Sequence, residues 1–304
     1  MPYGEPCVFC GELADETVLR ATVEEGRVPR TFNLLRCPHC GLVMTSPRLG
    51  RAELEEYYRP EYWGRVNADD PAWVRRDQAS RTSFLERFRQ GGRILDVGCG
   101  LGLFLLALDP ARWDRYGLEV MPAAYREARR RLGHDRIVTE ELSAAVLIGE
   151  QFDVVTLWDA LEHLPDPAQA LKQAFRLLRP GGLLLVRSPN FASYLARHFG
   201  ADWYELSLPY HLSHFTPATL TRMLEASGFK LQALGNSTGT QNYHAFKHTM
   251  LNRLTRRHGP RGGRLRYYLM KPGFPLWERI STRRGGGSSL ELCAERLPAP
   301  SDHA

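Results

Sequence analysis

The chain has 304 residues, 43% apolar and 24% charged, a soluble globular balance with room for one domain and an appendage, or two modest domains. Its longest apolar run, Leu101–Leu108, falls well short of the roughly 18 residues a membrane span needs, and its opening residues lack the basic stretch and apolar core of an export signal, so a spanning or secreted protein is not expected. The net charge of +6 is uneven: Lys247–Arg284 holds eleven basic residues and one acid, Glu278, a local +10 that leaves −4 on the rest.

In chain order the first feature is a pair of Cys-x-x-Cys units, Cys7/Cys10 and Cys37/Cys40. With no export signal the thiols are expected to stay reduced, and such pairs read as metal ligands rather than disulfides. A two-residue gap lets both sulfurs of a knuckle face one ion, and Gly11 and Gly41 stand where the chain must turn beneath it. Four thiolates leave no open position for a substrate, so the expected ion is a structural Zn2+ held by a zinc-ribbon-like unit over residues 1–45. A redox pair of the thioredoxin type is the alternative; two copies outside any βαβ pattern speak against it. His39, inside the second knuckle, is expected to be a bystander. Residues 46–92 read as a linker with N-terminal helices. They carry an aromatic cluster (Tyr57, Tyr58, Tyr62, Trp63, Trp73), read as glue between neighbouring units, and an amphipathic stretch, Gln78–Arg89.

From Arg93 onward short apolar runs alternate with amphipathic stretches, which predicts an α/β fold with a parallel sheet wrapped by helices. The predicted strands are Arg93–Val97, Tyr116–Glu119, Arg136–Thr139, Phe152–Trp158, Leu183–Ser188, Lys230–Leu234 and Leu290–Ala294, the last antiparallel. Asp166-Pro167 and Thr216-Pro217 each place a capping residue before a proline at the first helical position, and Gly228 closes the second helix. The first strand runs into a loop whose glycines alternate, Gly98, Gly100 and Gly102, followed by the apolar helix Leu103–Leu108. Such a loop lets backbone approach a ligand closely. A dinucleotide fingerprint would want Gly at 103, where Leu stands, and no Gly-Lys-Ser/Thr of a phosphate-binding loop follows. Asp96, before the loop, is placed to meet a cationic amino group, and Glu119, closing the second strand, to bond ribose hydroxyls.

In order and length these residues resemble the class I S-adenosylmethionine-dependent methyltransferases. Ile94-Leu-Asp-Val-Gly-Cys-Gly-Leu-Gly102 resembles motif I, and Glu119 fits the acid of motif II. Glu140, Glu141 and Leu142 fall where the family contacts adenine. Phe152–Pro167 resembles the fourth strand and its active-site end, and Leu178-Arg-Pro-Gly-Gly182 the turn before strand five. The resemblance implies a Rossmann-like seven-stranded sheet over residues 93–304. It also implies S-adenosyl-L-methionine as cofactor, with Asp96, Gly98, Cys99, Gly100, Gly102, Glu119, Glu140, Glu141, Leu142 and Trp158 around it. Cys37-Pro-His-Cys-Gly-Leu-Val, Ser46-Pro-Arg, Tyr57-Tyr…Tyr62-Trp, Ser188-Pro-Asn190 and His211-Leu-Ser-His-Phe-Thr-Pro217 are similar to the subgroup with an N-terminal zinc-binding unit found in bacterial natural-product, sugar and cell-envelope pathways. Its sugar C-methylating members carry a further C-terminal domain that this chain is too short to hold, which shifts the expectation to O- or N-transfer.

Methyl transfer from a sulfonium needs an aligned nucleophile and, for a hydroxyl, a base. Asp159, Glu162 and His163 follow strand four at the carboxyl edge of the sheet, where open α/β folds bind ligands. His163 is the first choice of base, because imidazole titrates near neutrality; a histidine there could instead simply bond backbone. His211 and His214 form a second cluster, either facing the substrate or part of a lid. Asp159, Glu162 and His163 resemble the Glu-x-x-Glu-His pattern of quinone-precursor O-methyltransferases, which raises Mg2+ as a further option, although Asp stands in place of the first Glu.

Residues 236–288 read as a basic aromatic insertion before the last strand. Three readings compete for it: an RNA grip, an anionic membrane surface, and a solvated lid or dimer contact. The breaks at Gly259–Gly263 and Gly285–Gly287 favour a mobile flap. The expected function is O-methylation of a small molecule, sugar or lipid-linked precursor by a cytoplasmic enzyme, with a solvated lid or dimer contact the first reading of 236–288 and a peripheral membrane contact the second. The alternatives are an RNA base methyltransferase and a non-catalytic S-adenosylmethionine-binding regulator. Against RNA stand a zinc unit that is not basic and the lack of an Asn-Pro-Pro-Tyr-type motif after strand four. Against the regulator stand the intact loop and polar cluster. The acceptor and the oligomeric state are not legible.

Overall fold

The computed structural model describes residues 4–24, 29–50, 53–54, 57, 71–133, 136–139, 142, 151–237, 240–283 and 286–297. In chain order the elements are β1 (Glu5–Pro6), β2 (Leu13–Ala14), β3 (Glu16–Val23), β4 (Arg30–Arg36), β5 (Val43–Ser46), α1 (Pro71–Glu86), β6 (Gly92–Val97), α2 (Leu103–Ala107), β7 (Trp113–Leu118), α3 (Pro122–Leu132), β8 (Ile137–Val138) and β9 (Phe152–Trp158). There follow α4 (Pro167–Leu177), β10 (Leu178–Pro189), α5 (Tyr194–Phe199), β11 (Ser213–His214), α6 (Pro217–Ala226), β12 (Phe229–Asn236), α7 (Thr240–Met270), α8 (Phe274–Arg283) and β13 (Ser289–Arg296). The two expected caps are in place: Asp166 accepts from the Gln169 amide at 2.8 Å, and Thr216 from that of Thr219 at 3.2 Å.

The chain divides into two compact units, each assembled from separated stretches. The first comprises Met1–Tyr57, Ser188–Leu220 and Gly235–Glu291, and the second Tyr58–Arg187, Thr221–Leu234 and Leu292–Ala304. A linear reading with boundaries at 45 and 92 does not anticipate this, because pairing and packing join stretches that lie far apart in sequence.

The second unit centres on a seven-stranded sheet of order β12-β13-β10-β9-β6-β7-β8. β6 pairs in parallel with both β7 and β9, β7 with β8, and β9 with β10. From β6 the chain builds outward through β7 and β8, then returns to build the other way through β9 and β10. The strand order therefore reverses between β6 and β9, and such a switch point opens a crevice at the carboxyl ends. All seven residues of β9 are buried, as befits a central strand covered on both faces. Phe84 and Leu85 of α1, Phe104 and Leu105 of α2, Trp113, Ile137, Val154 and Trp158 share one apolar cluster.

In the first unit β3, β4 and β5 form an antiparallel meander, and β11 adds to β5, with Ser213 opposite Met44 and His214 opposite Val43. The segment read as a possible lid is thus the fourth strand of the cysteine-bearing sheet. The described part of the insertion is mostly helical. α7 is two helices meeting at Gly259, whose backbone (φ 71°, ψ 169°) is the non-helical step before Pro260. Gly262 and Gly263 are helical, and a Cβ on Gly263 would lie 2.7 Å from the Thr255 backbone, so glycine there allows close packing. Phe246, Met250 and Tyr267 of α7 pack with Leu34, Val43, Leu195, Trp203, Phe274 and Trp277. Part of the basicity is spent internally, since Arg253 and Arg256 both bind buried Asp202, at 3.2 and 2.6 Å.

Candidate active site

The loop after β6 sits at the switch point of the sheet. Gly98, Gly100 and Gly102 have φ of 71°, 55° and 74°, values that disfavour any side chain. A Cβ on Gly102 would lie 2.6 Å from Leu132 and one on Gly98 3.0 Å from Ala160. Glu119 follows β7 and is buried; its two carboxylate oxygens accept from the Gly100 amide at 2.8 Å and the Met121 amide at 2.7 Å. The carboxylate thereby holds the loop and keeps lone pairs for a further donor such as a hydroxyl. Asp96 is buried at the end of β6 and accepts from Thr156 Oγ1 at 2.6 Å. Burial pushes its carboxyl up to about 7, and the charge of Glu119 adds to this. A buried acid with so little cationic compensation suits a cationic ligand. The glycine-lined loop, Glu119 and Asp96 therefore fit S-adenosyl-L-methionine: close backbone approach, a ribose partner and a partner for the amino group.

Two other expected cofactor residues turn inward instead. Cys99 is buried in the apolar cluster of the second unit, with its sulfur 2.7 Å from where a Cβ on Gly117 would stand. Its thiol belongs to the core and only its backbone to the loop. Trp158 is buried edge-on against Phe84 and Phe104, with ring centroids 6.2 and 5.4 Å away, so its ring is packing. Leu142 is half-buried in a turn; Glu140 and Glu141 lie outside the described residues.

After β9 the chain turns sharply. Asp159 has φ 53°, a left-handed conformation uncommon outside glycine, and a short 3-10 turn over Leu161–His163 follows. Glu162 is buried and His163 half-buried on that turn. The Asp159 carboxylate is committed elsewhere. Arg187 Nε donates to both of its oxygens at 3.0 Å, and Arg81 reaches it at 3.2 Å. Arg187 is 0% exposed and also binds Asp77 of α1 at 2.7 Å, which Arg81 reaches at 2.9 Å. Burial would raise the Asp77 carboxyl, but Arg187 and then Arg81 hold it down at about 2. This network pins α1 to the carboxyl ends of β9 and β10. In this network Asp159 is a positioning residue for the turn that follows β9. Neither Arg187 nor Asp77 was anticipated. The signal was a lone Arg ending the apolar run Leu183–Val186.

His211 and His214 belong to the first unit. Thr45 Oγ1 donates to the His211 carbonyl at 2.6 Å, and since it has one proton it must accept from His214 Nε2 at 2.9 Å. His214 is buried; burial, and then the Arg48 charge, push its imidazole down to about 3. It is therefore a neutral strut within the β-sheet and not a base. His211 donates Nδ1–H to the Glu205 carbonyl at 2.9 Å.

The four paired cysteines also converge. Their sulfurs lie within 4.8 Å of one another, with Cys7 to Cys40 and Cys10 to Cys37 each 3.5 Å. A tetrahedron of about 2.3 Å metal–sulfur bonds has edges of about 3.8 Å. The knuckles repeat one geometry: Gly11 and Gly41, both at φ 80°, donate to the carbonyls of Cys7 and Cys37 at 2.8 Å. His39 is exposed and takes no part in the cluster.

The family model described as "Methyltransferase domain" matches residues 72–234. The chain is 33% identical over 160 residues to a ubiquinone biosynthesis O-methyltransferase of Thiobacillus denitrificans, covering 49% of this chain and 68% of the relative. It is 35% identical over 153 residues to one from Aeromonas salmonicida, covering 45% and 63%. A "Probable S-adenosylmethionine-dependent methyltransferase" of Mycolicibacterium smegmatis matches at 33% over 166 residues, 54% and 62%. These matches thus span about two thirds of the relatives' own length. Among solved structures, the complex of the Haloferax volcanii Trm112 methyltransferase activator with a methyltransferase aligns at a TM-score of 0.53 and 14% identity, over 79% of this chain and 99% of that one. A methyltransferase of Thermotoga maritima aligns at 0.50 and 19%, over 81% and 97%.

Proposed function

This chain belongs to the class I S-adenosylmethionine-dependent methyltransferases, and we propose that its acceptor is a hydroxyl of a small or lipid-linked molecule. The donor supplies an activated methyl group on a sulfonium. The Gly98–Gly102 loop and Glu119 would hold its nucleoside end, and Asp96 would face its amino group. Asp159, locked by Arg187, sets the path of the turn that carries Glu162 and His163. His163 would take the proton of the acceptor hydroxyl; the donor, when bound, would supply the methyl carbon, whose bond to sulfur breaks as its bond to oxygen forms.

The observation that supports this reading is the half-buried His163 on the turn after β9, at the edge where the glycine loop ends. A hydroxyl must lose its proton on methylation, and imidazole is suited to take it near neutrality. The O-methyltransferase names of the relatives point the same way. His163→Ala is expected to lower kcat by roughly 10²- to 10⁴-fold while leaving donor affinity unchanged. Incubation with methyl-labelled donor and host extract, separated into lipid, RNA and soluble fractions, tests the acceptor. Label in RNA that nuclease removes overturns the proposal. Activity lost to EDTA and restored by Mg2+ assigns the divalent ion that the sequence pattern raises; indifference to EDTA removes it.

Cys7, Cys10, Cys37 and Cys40 are proposed to hold one Zn2+. The convergence of four sulfurs within 4.8 Å of one another supports this, and four thiolates close the site to substrate, which makes the ion's role structural. Purified protein holding less than about half an equivalent of zinc, with Cys7→Ser folding normally, would remove the assignment.

A further inference from the structure

The second half of α7 and the start of α8 have two unlike faces. Inward lie Gly263 and Tyr267, the Tyr267 hydroxyl 3.0 Å from that of Tyr243, while Phe274 and Trp277 pack at a tilt against Phe246. Outward lie Leu265 (65% exposed), Tyr268 (66%), Leu269 (75%) and Leu276 (66%), the four most exposed large apolar side chains among the described residues. Leu265, Tyr268 and Leu269 fall at i, i+3 and i+4, one stripe of a helix. Exposed Arg261, Arg264, Arg266, Lys271 and Arg279 flank this stripe. None of the five has an ion-pair partner among the described residues, unlike Arg253 and Arg256, which Asp202 holds. One acid, Glu278, stands among them, and it is half-buried.

We propose that the outward face of residues 261–279 docks on an anionic lipid bilayer. A row of leucines flanked by unpaired cations is the pattern of an interfacial helix: the apolar stripe enters the headgroup–acyl boundary, and each cation near the surface adds attraction to the anionic headgroups. The same face is poorly made for RNA. Bases stack on aromatic rings, and its apolar members are aliphatic except Tyr268. Nor does it suit a second copy of the chain, because self-docking would set one cationic rim against another. Docking here would bring the enzyme to lipid-borne acceptors, but it stands apart from the hydroxyl reading, since vesicle binding requires no methyl transfer.

The test is co-sedimentation of the full chain with vesicles of phosphatidylcholine alone or with one-third phosphatidylglycerol, at low and high salt, alongside a nuclease-treated sample and light scattering. The expected result is binding at least about 10-fold tighter to the anionic vesicles, weakened by salt. Leu265→Gln/Leu269→Gln and Arg264→Gln/Arg266→Gln should each lower it about 10-fold or more while helix content and donor binding hold. Equal or absent binding to the two vesicle types overturns the proposal, as do variants that bind like the parent. So does sedimentation that nuclease abolishes, or a dimer in light scattering that the leucine variant dissolves.

Discussion

The second unit is distinguished by a linked set of buried charges, and the first by paired thiols, an aromatic core and a neutral histidine beside the buried acids Asp202 and Glu291, and each set matches what the unit holds. Asp96, Glu119, Asp77 and Arg187 lie inside the unit that must bind a cationic donor at a fixed place. Their charges are costly to bury, so each is tied to backbone amides, a hydroxyl or a guanidinium. The first unit has a meander of three strands, a two-residue fourth strand and a helical insertion, and draws its order from a four-sulfur cluster and an aromatic core. The contrast separates two kinds of fragility. One unit should fail when a charge loses its partner, the other when a ligand set or a ring is removed.

The largest expected effect breaks the first unit. Structural zinc in small cysteine sites contributes on the order of 10 kcal/mol of apparent folding free energy. Removing the proposed ion with a strong chelator, or its ligand set by Cys40→Ser, should unfold the cysteine-bearing sheet and leave the donor loop protected. Hydrogen exchange resolved by peptide reads this directly: protection lost over 30–46 and kept over 92–118 supports the division, and loss of both together breaks it. Next in size is the ion network of the second unit. Arg187→Met strands Asp77 and Asp159 without their shared cation, at a cost of about 3–5 kcal/mol. It also frees Asp159 from its turn, so kcat should fall more than donor affinity. Arg187→Lys cannot reproduce the two-sided fork and should recover only part of the stability. Urea unfolding with the donor absent checks this.

The two units were also unequally legible. β9 falls on the sequence estimate residue for residue because Phe152–Trp158 is an apolar run with two polar members, both of them paired: Asp153 binds Arg89 and Arg179, and Thr156 donates to Asp96. The glycine loop, Asp96 and Glu119 were legible because their spacing is local to one strand–loop–helix unit. Arg187 and Asp77 were not, because their pairing spans 110 residues and no periodicity marks it. β11 is two residues long and has no strand signature of its own; only the edge of β5 makes it a strand. The glycines of the insertion suggested a flap, yet Gly263 is small because Thr255 is close. Composition alone does not distinguish a glycine chosen for freedom from one chosen for close approach.

The pH-dependent effects, spread over several pH units, sharpen the contrast by their sign. His214, in the first unit, is held down at about 3, below the unfolded value of about 6.5. Between those values the unfolded chain binds the extra proton, so this contribution is full above about pH 6.5 and is lost as pH falls toward 3, by at most about 1.4 kcal/mol per pH unit. Asp96, in the second unit, is raised to about 7 from an unfolded value of about 3.9. Its contribution is full below about pH 3.9 and is lost as pH rises through 7, the opposite slope. A cation beside Asp96 favours its ionised form, so the same group ties donor binding to pH. Below pH 7 the carboxyl must give up a proton before it can face the donor's amino group, and affinity should weaken by up to about 10-fold per unit as pH falls, then level off above 7. Asp96→Asn should bind more weakly at pH 8 and lose this dependence. Isothermal titration of the donor between pH 5.5 and 8.5 measures both. A parent profile that is flat across pH 7, or an Asp96→Asn profile as steep as the parent's, means that the amino group does not meet Asp96.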